Sequence, residues 1–598
     1  MQAHSIHRLQ KLPEEESWSF FVKHAYDACN SEKWPRLEPI GRKIVNKCDR
    51  LPLALKTIGC LLRSEHDLRK WELISKDGIW SLLHSKLEVL PALFLSYHYL
   101  SSHLKRCFAY CSIFPKNIEY EKEQLILLWI AEGLILEQPK NGMRESPFFS
   151  LDGGNSLDAS CRTRHVSYIK TDYVFPSKLK ILRDTLQLRT LLAVDSKSPF
   201  HYDLSDEVLD HLVPSLRCLR VPSLSKYISI TKLPKAVGGS QFLCYLNLSF
   251  TNIMTLPDSL TSLCDLQLLL LVMCKYLKEL TCDRWRLINL RHLDTRGTPL
   301  RSALRGIGKL KDLQTLTDFI LAKEGGSRIK ELGGLCDLKG LLSLGGLENV
   351  LKVGDAKASN LECKRYLSKI TLQWSSHTRP VQHNEIYVVE MLRPPAYLKE
   401  LTSDLLNIED CKHCTSLPTL GQLTSLQKLL IKGLDVVVIV GPKLNGKHSE
   451  VFQSLEYLEF DDMKRLQKWV SFEGLREGEA FPRLQKLITK CPVLRRGLPG
   501  SLPLLTELAI EGCPLLEAAL PRLPLLCELH LKCSDRVSEP VAGFLSMNSI
   551  QLQLVSISEN SSLPVRCFPP SMTTLIVKNV RQLDLRWTCA TNTFKYVP

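Results

Sequence analysis

Leu243-Cys244-Tyr245-Leu246-Asn247-Leu248 and Leu266-Gln267-Leu268-Leu269-Leu270-Leu271 are two copies of one phrase, Leu-x-x-Leu-x-Leu, and that phrase decides the fold. Successive copies begin at positions 243, 266, 290 and 313, at intervals of 23, 24 and 23 residues. The intervals lie within the ~20–29 residues of leucine-rich repeats. Leu216, Leu219 and Val221 carry the same phrase upstream. Downstream it continues through Leu367, Ile370 and Leu372; Leu426, Leu429 and Ile431; Leu455, Leu458 and Phe460; Leu505, Leu508 and Ile510; and Leu526, Leu529 and Leu531. Each copy predicts a short strand whose apolar residues point inward. One repeat alone cannot bury its apolar side, so the copies must stack into a parallel sheet lining a curved solenoid.

Residues between the inward leucines alternate to the opposite side of each strand. The expected partner-binding surface is therefore His292, Asp294, Arg296, Lys428, Lys432, Tyr457, Glu459, Lys486, Lys490, Glu528, His530 and Lys532. The plain alternative is a set of solvated strand residues that serve solubility.

Bulk composition narrows the function classes. At 598 residues the chain is several times the usual ~100–200 residues of one domain, so two or three units are expected. Lys and Arg total 78 against 63 Asp and Glu, a net charge of +15, with the two signs interleaved and no basic block. That pattern is not a nucleic-acid footprint. The 21 cysteines are scattered, many of them inside Leu-rich strands where a thiol acts as a small apolar residue, which suits a reducing cytoplasmic setting. The first residues hold no apolar run typical of a signal peptide, and the longest apolar stretch, Leu268 to Met273, is far too short for a membrane span. The sequons at Asn247 and Asn560 are accordingly expected to be chance matches.

Ahead of the repeats the apolar spacing turns helical. Trp18, Phe21, Val22 and Ala25 form one stripe, Ile40, Ile44 and Val45 a second, and Leu53, Leu55, Ile58, Leu61 and Leu62 a third. Three more helices are expected over Val89 to Tyr99, Leu104 to Phe114 and Glu121 to Leu134, with Ser101 or Ser102 capping the second and Gly133 ending the third. Three closely spaced helices raise the possibility of a DNA-reading unit. The third opens Glu121-Lys122-Glu123-Gln124 and continues Leu125-Ile126-Leu127-Leu128-Trp129-Ile130, so it would repel phosphate and its apolar body belongs in a core.

Three phrases in this region point to one family. They are Arg50-Leu51-Pro52-Leu53-Ala54-Leu55, then Cys107-Phe108-Ala109-Tyr110-Cys111-Ser112-Ile113-Phe114-Pro115-Lys116, then Leu127-Leu128-Trp129-Ile130-Ala131-Glu132-Gly133-Leu134-Ile135. Together with the repeats they resemble plant disease resistance proteins of the coiled-coil, NB-ARC, leucine-rich-repeat type. The resemblance covers almost the whole chain. It implies an α/β solenoid architecture: a helical and winged-helix remnant of an NB-ARC domain (1–80 and 81–165) followed by a leucine-rich-repeat horseshoe (166–598).

The resemblance also implies a chain that starts after the family's coiled coil and phosphate-binding loop. Family members bind ADP or ATP, with Leu51 and Pro52 at the positions that lie against the nucleotide. Arg50 stands where the family has glycine, and no Met-His-Asp sensor occurs before His165-Val166-Ser167-Tyr168. Nucleotide is therefore expected to be bound weakly or not at all by this chain alone. The bare alternative for Pro52 is a helix start, where its fixed backbone angle suits the first turn. The function implied is that of an intracellular immune receptor fragment whose repeats recognise a pathogen effector or a guarded host protein. Two other readings are a decoy or regulator acting on full-length receptors, and a repeat adaptor of a ubiquitin ligase. The adaptor would need an F-box-like segment in place of Trp18 to Phe114.

Two motifs look chemical and are read as structural. Gly441-Pro442-Lys443-Leu444-Asn445-Gly446-Lys447-His448 nearly fits a phosphate loop, but Pro442 removes a backbone donor and His448 replaces the hydroxyl that would hold magnesium. Cys411-Lys412-His413-Cys414 is half a zinc site without its second half. No nucleophile, base and orienting group come together by spacing, so neither catalysis nor a resident metal is expected.

Overall fold

A computed structural model describes residues 11–26, 34–63, 67–77, 80, 91–115, 119–135, 148–150, 163–170, 187–195, 202–204, 206–280, 287–302, 305–322, 328–350, 352–374, 388, 391–405, 420–421, 423–433, 437–441, 451–470, 479–517, 520–534, 536, 541, 551–559, 562–563, 571–580, 582–583 and 593–597. The half zinc motif Cys411–Cys414, the loop residues Pro442–His448 and the sequon at Asn560 lie outside these residues. The chain divides into two compact units. The first is Met1–Ser112 with Gly133–Lys140, and the second is Ile113–Glu132 with Asn141–Pro598.

The first unit is helical: α1 (Glu14–Ala25), α2 (Trp34–Lys47), α3 (Pro52–Leu62), α4 (Leu68–Lys76), α5 (Pro91–His98) and α6 (Ser102–Tyr110). The three predicted stripes meet in its core, where Phe21, Ile44, Leu55, Ile58 and Leu62 are fully buried beside Trp71 and Trp80, but Leu53, expected in the third stripe, is exposed because it falls on the outer side of α3. Close approach is made possible by Gly41 and Gly59. A Cβ on the first would meet the Trp18 ring at 2.9 Å and one on the second the His24 Cβ at 2.9 Å. Ser101 occupies the N-cap of α6, but its hydroxyl lies 3.2 Å from His103 Nε2 instead of on a backbone N–H. Pro52 is the first residue of α3, and the two residues before its N-cap, Asp49 and Arg50, both take left-handed backbone conformations.

The second unit holds α7 (Lys122–Ala131), the last of the predicted helices, together with all the repeats. Gly133 follows α7 with φ of +70°, the usual helix stop. Eight parallel strands form a first sheet in chain order: β1 (Phe148–Ser150), β2 (His165–Ile169), β3 (Thr190–Val194), β4 (Val221–Ser223), β5 (Tyr245–Asn247), β6 (Leu268–Leu270), β7 (His292–Asp294) and β8 (Thr315–Leu316).

Twelve strands form a second sheet. Its first six are β9 (Asp318–Ile320), β10 (Lys339–Gly345), β11 (Tyr366–Trp374), β12 (Glu400–Leu405), β13 (Lys428–Lys432) and β15 (Tyr457–Asp461). It continues through β17 (Lys486–Lys490), β18 (Glu507–Glu511), β19 (Glu528–Lys532), β20 (Leu554–Ser558), β22 (Thr574–Lys578) and β24 (Thr593–Val597). Two short pairs lie outside it, β14 (Ile439–Val440) with β16 (Lys468–Trp469) and β21 (Ser562–Leu563) with β23 (Gln582–Leu583).

One apolar core runs through this unit from Val166 to Val577 and includes the inward residue of nearly every predicted copy. Small polar side chains stitch neighbouring coils together. The Cys274 thiol donates to the Leu248 carbonyl at 3.2 Å, while the Cys274 N–H donates to Thr298 Oγ1 at 3.0 Å. Further along, the Cys491 N–H points to Cys513 Sγ at 3.3 Å and the Cys513 N–H to Ser534 Oγ at 3.2 Å. Burial pushes the Cys491 thiol up to about 12, so it stays a neutral donor, and the described cysteines carry no disulfide.

Candidate functional site: the concave strand faces

Outward positions of the second sheet line up in rows across the strands. In the first row Lys369, Glu400, Lys428, Tyr457, Lys486, Glu507 and Glu528 are successive register partners. The middle row runs Leu430, Glu459, Ile488, Ala509 and His530. In the third, Lys432 pairs with Asp461, Asp461 with Lys490, and Glu511 with Lys532. Burial alternates along β13, β15, β17 and β19, with leucine, isoleucine, phenylalanine or threonine sealed inside and the outward residues open or half-open.

Charges on this face neutralise one another. Lys369 lies 2.7 Å from Glu400, Lys432 3.3 Å from Asp461, Lys486 2.6 Å from Glu507 and Lys532 3.3 Å from Glu559. Lys490 reaches Glu459 at 3.4 Å and Glu511 at 3.7 Å. Burial lowers the Lys490 pKa, but Glu511, Asp461 and Glu459 outweigh it and hold the ammonium above its usual range.

Tyr457 sits between two cations, with Lys428 Nζ 4.8 Å and Lys486 Nζ 5.8 Å from its ring centre, and its hydroxyl donates to Glu459 at 2.6 Å. Burial first, then that hydrogen bond, raises its pKa. The ring is thereby fixed between lysines of the two neighbouring strands and a carboxylate of its own. Glu507, Glu528 and His530 each bring one possible ligand atom within 4.8 Å of the others, but Glu507 is already engaged by Lys486.

Outward residues of the first sheet are placed differently. Asp294 is buried, 9% exposed, and gripped at both oxygens by Arg296 on the same strand end. His292 is half-buried, with Nδ1 3.0 Å from Thr315 Oγ1, and its pKa is pulled down to about 4 by burial first and then by Lys339 and Arg291. The expectation that His292, Asp294 and Arg296 are presented alike therefore divides, since Arg296 alone of the three is exposed. Leu430, Ile488, Glu507 and Glu511 are absent from the expected surface, yet they alternate with the inward Leu429, Leu487, Leu508 and Ile510 as plainly as its members do. At the helical unit, Pro52 is exposed and Leu51 half-buried. No described helix is long and apolar enough to cross a membrane.

Comparison with known proteins agrees with this geometry. Residues 113–146 match the model for the disease resistance protein winged helix domain, and residues 329–434 match the R13L1/DRL21 leucine-rich repeats. An RPP13-like disease resistance protein of Arabidopsis thaliana is 37% identical, over 86% of this chain and 56% of its own length. The disease resistance protein RGA4 of Solanum bulbocastanum is 30% identical, over 91% of this chain and 56% of its own. The chain thus spans about half the length of the curated relatives it matches. Among solved structures, the leucine-rich-repeat ectodomain of the plant receptor kinase GASSHO1/SCHENGEN3 from Arabidopsis thaliana is similar at 14% identity and a TM-score of 0.41, over 71% of this chain and 50% of that one. The chain is a homologue of plant disease resistance proteins of the RPP13-like and RGA kind, carrying their winged-helix segment and leucine-rich repeats.

Proposed function

We propose that the chain senses protein ligands for a cytoplasmic plant immune receptor, binding a pathogen effector or a guarded host protein on the concave face of β13 to β19. The observation that carries this reading is the alternation of sealed and open residues along those strands, with Tyr457 as a central aromatic anchor. Recognition is then a binding event without catalysis. Lys428, Lys432, Lys486, Lys490, Glu528, His530 and Lys532 surround the anchor and set specificity more than affinity. A reading as decoy or regulator uses the same face with a full-length receptor as partner. The test is cross-linking mass spectrometry of the chain with candidate effectors and host proteins, in the wild type and in Tyr457→Ala. Cross-links confined to β13–β19 and lost in the variant uphold the reading, and cross-links confined to the opposite surface overturn it.

Nucleotide handling belongs to the same proposal. Pro52 is placed as the first residue of a helix, and Arg50 adds a long side chain where close approach to a ligand would be needed. The chain by itself is proposed to hold no ADP tightly. Titration of a fluorescent ADP analogue at micromolar protein checks this, and a saturable signal would overturn it.

A further inference from the structure

Shortly after its strand a coil turns a corner, and the residue at that corner takes a left-handed backbone conformation. In the first sheet Lys226, Phe250 and Met273 do so, with φ of 63°, 61° and 56°, and Gly297 follows at 70°. The corners stack directly on one another. The Lys226 N–H donates to the Ser249 carbonyl at 2.8 Å, the Phe250 N–H to Val272 and the Met273 N–H to Arg296, both at 2.7 Å. A Cβ crowds the chain in this conformation, so glycine, asparagine and aspartate are favoured there and bulky apolar residues are not. The second sheet keeps to that preference: its left-handed corners are Gly433, Asp462, Gly512, Cys533, Glu559 and Asn579, all small or polar.

Phe250 and Met273 break it without being buried. Phe250 is 44% exposed and Met273 38%, and Met254 and Tyr276, further along the same two coils, are 53% and 52% exposed. The Met273 thioether lies over Gly297, where a Cβ would fall 2.2 Å from its sulfur, so the next coil leaves it room. A disfavoured backbone that holds an exposed apolar side chain does nothing for the core, and its explanation lies outside the fold.

Cations border this ridge. The Met254 N–H donates to the Thr231 carbonyl at 2.9 Å and the Arg301 N–H to the Lys278 carbonyl at 2.8 Å, while Lys232 bridges to Thr255. Lys232, Lys278 and Arg301 therefore follow one edge of the stacked coils, with Lys275 next to Tyr276. All four are exposed, and none forms an ion pair among the described residues. The concave face of the second sheet is the opposite case, since its lysines are neutralised by carboxylates of neighbouring strands. Free cations beside apolar side chains call for a partner that is acidic and apolar at once. Asp258 and Glu279 stand exposed on the same coils and would repel an anionic membrane, whereas a protein segment can set its carboxylates on the cations alone.

We propose that Phe250, Met254, Met273 and Tyr276 form a docking ridge for an acidic amphipathic segment of another protein, with Lys232, Lys275, Lys278 and Arg301 receiving its carboxylates. The ridge is distinct from the concave face of β13 to β19, and the proposal holds whichever protein that face engages.

Fluorescence anisotropy on the full 598-residue chain tests it, using a labelled synthetic helix with leucine on one side and glutamate on the other, and a scrambled peptide of identical composition. The wild type is expected to bind the amphipathic peptide at least about tenfold more tightly than the scrambled one, and less tightly as salt rises. Phe250→Asn with Met273→Asn keeps every charge of the protein and should lose at least about tenfold in affinity. The thermal midpoint of that double variant should rise, because asparagine accepts the left-handed corner better than the residues it replaces. Lys232→Glu with Lys278→Glu and Arg301→Glu should abolish binding. Equal affinity for the two peptides, or unchanged binding by the asparagine variant, overturns the proposal. A lower midpoint for that variant overturns it too, since the two side chains would then serve the fold. Ridge-dependent retention on phosphatidylcholine–phosphatidylserine vesicles, or a ridge-dependent dimer in sedimentation, without preference between the peptides would assign the surface to lipid or to a second copy instead.

Discussion

β5 and β15 carry the same inward pair, Leu246 with Leu248 and Leu458 with Phe460, and differ in everything that faces outward. On β5 the outward Tyr245 and Asn247 are buried; on β15 the outward Tyr457, Glu459 and Asp461 are half-open and tied to lysines of neighbouring strands. The repeat phrase thus specifies one side of each strand only. What covers the other side is decided by distant chain or left to solvent.

The largest effect should come from the side the two halves share. Leu246→Ala and Leu458→Ala are each expected to cost about 2–5 kcal/mol, since each removes a fully enclosed side chain from a continuous core. Denaturant midpoints read by a probe in each half check this. A loss several times larger in one half would break the equivalence of the inner faces. Such arrays need not unfold in one step, so the two probes must be read separately.

Outer faces should separate next. Tyr245→Ala is expected to cost about 3 kcal/mol or more, because the ring is fully buried, against less than about 1 kcal/mol for Tyr457→Ala. Equal losses would show that both faces are covered, or that neither is.

Acid should act on the first sheet through histidine. Burial holds the imidazoles of His165 and His292 down to about 4, against an ordinary 6.5. For a group whose neutral form is favoured by folding, the stability is present above about pH 6.5 and declines as pH falls toward about 4. The loss for His292 is on the order of 1–3 kcal/mol, and His292→Asn should remove that part of the pH slope between pH 6.5 and 4. An unchanged slope would remove His292 from the account.

Two small effects complete the comparison. Lys432→Ala on the open face should change stability by less than about 1 kcal/mol, because its pair with Asp461 is exposed and screened. Arg50→Gly should stabilise the helical unit by up to about 1 kcal/mol, since residue 50 holds φ of +57°, a conformation that favours glycine. A thermal melt of each variant checks the two signs.

Much of this was legible in the sequence, and the part that was not has a definite cause. The period of 23 or 24 residues located the strands, and the stripes through Phe21, Ile44 and Leu55 located the helical core. Of the apolar body of α7 expected in a core, Leu128 and Ala131 are buried while Leu125, Ile126, Leu127, Trp129 and Ile130 stay half-buried, and nothing in the spacing says which surface the helix meets. A signal did exist on the receiving side. Outward positions of the first sheet carry Leu192, Val194, Tyr245 and Leu268, whereas those of the second carry Lys428, Glu459 and Lys490. Apolar residues on both sides of a strand announce two covered faces. The hydrogen bond from Thr190 to the Glu132 carboxylate was not readable, because Thr190 is brought there by the stacking of coils and by no local pattern.

The self-neutralised rows of the open face have a consequence for how such a surface diversifies. Lys432, Asp461, Lys490 and Glu511 are one another's counterions, each held from the next strand. Exchanging Lys432, Asp461 or Lys490 presents a new side chain and also frees a charge that was formerly occupied. Single substitutions therefore rewrite the face two positions at a time, so variants that differ by one residue differ in what they repel as well as in what they hold.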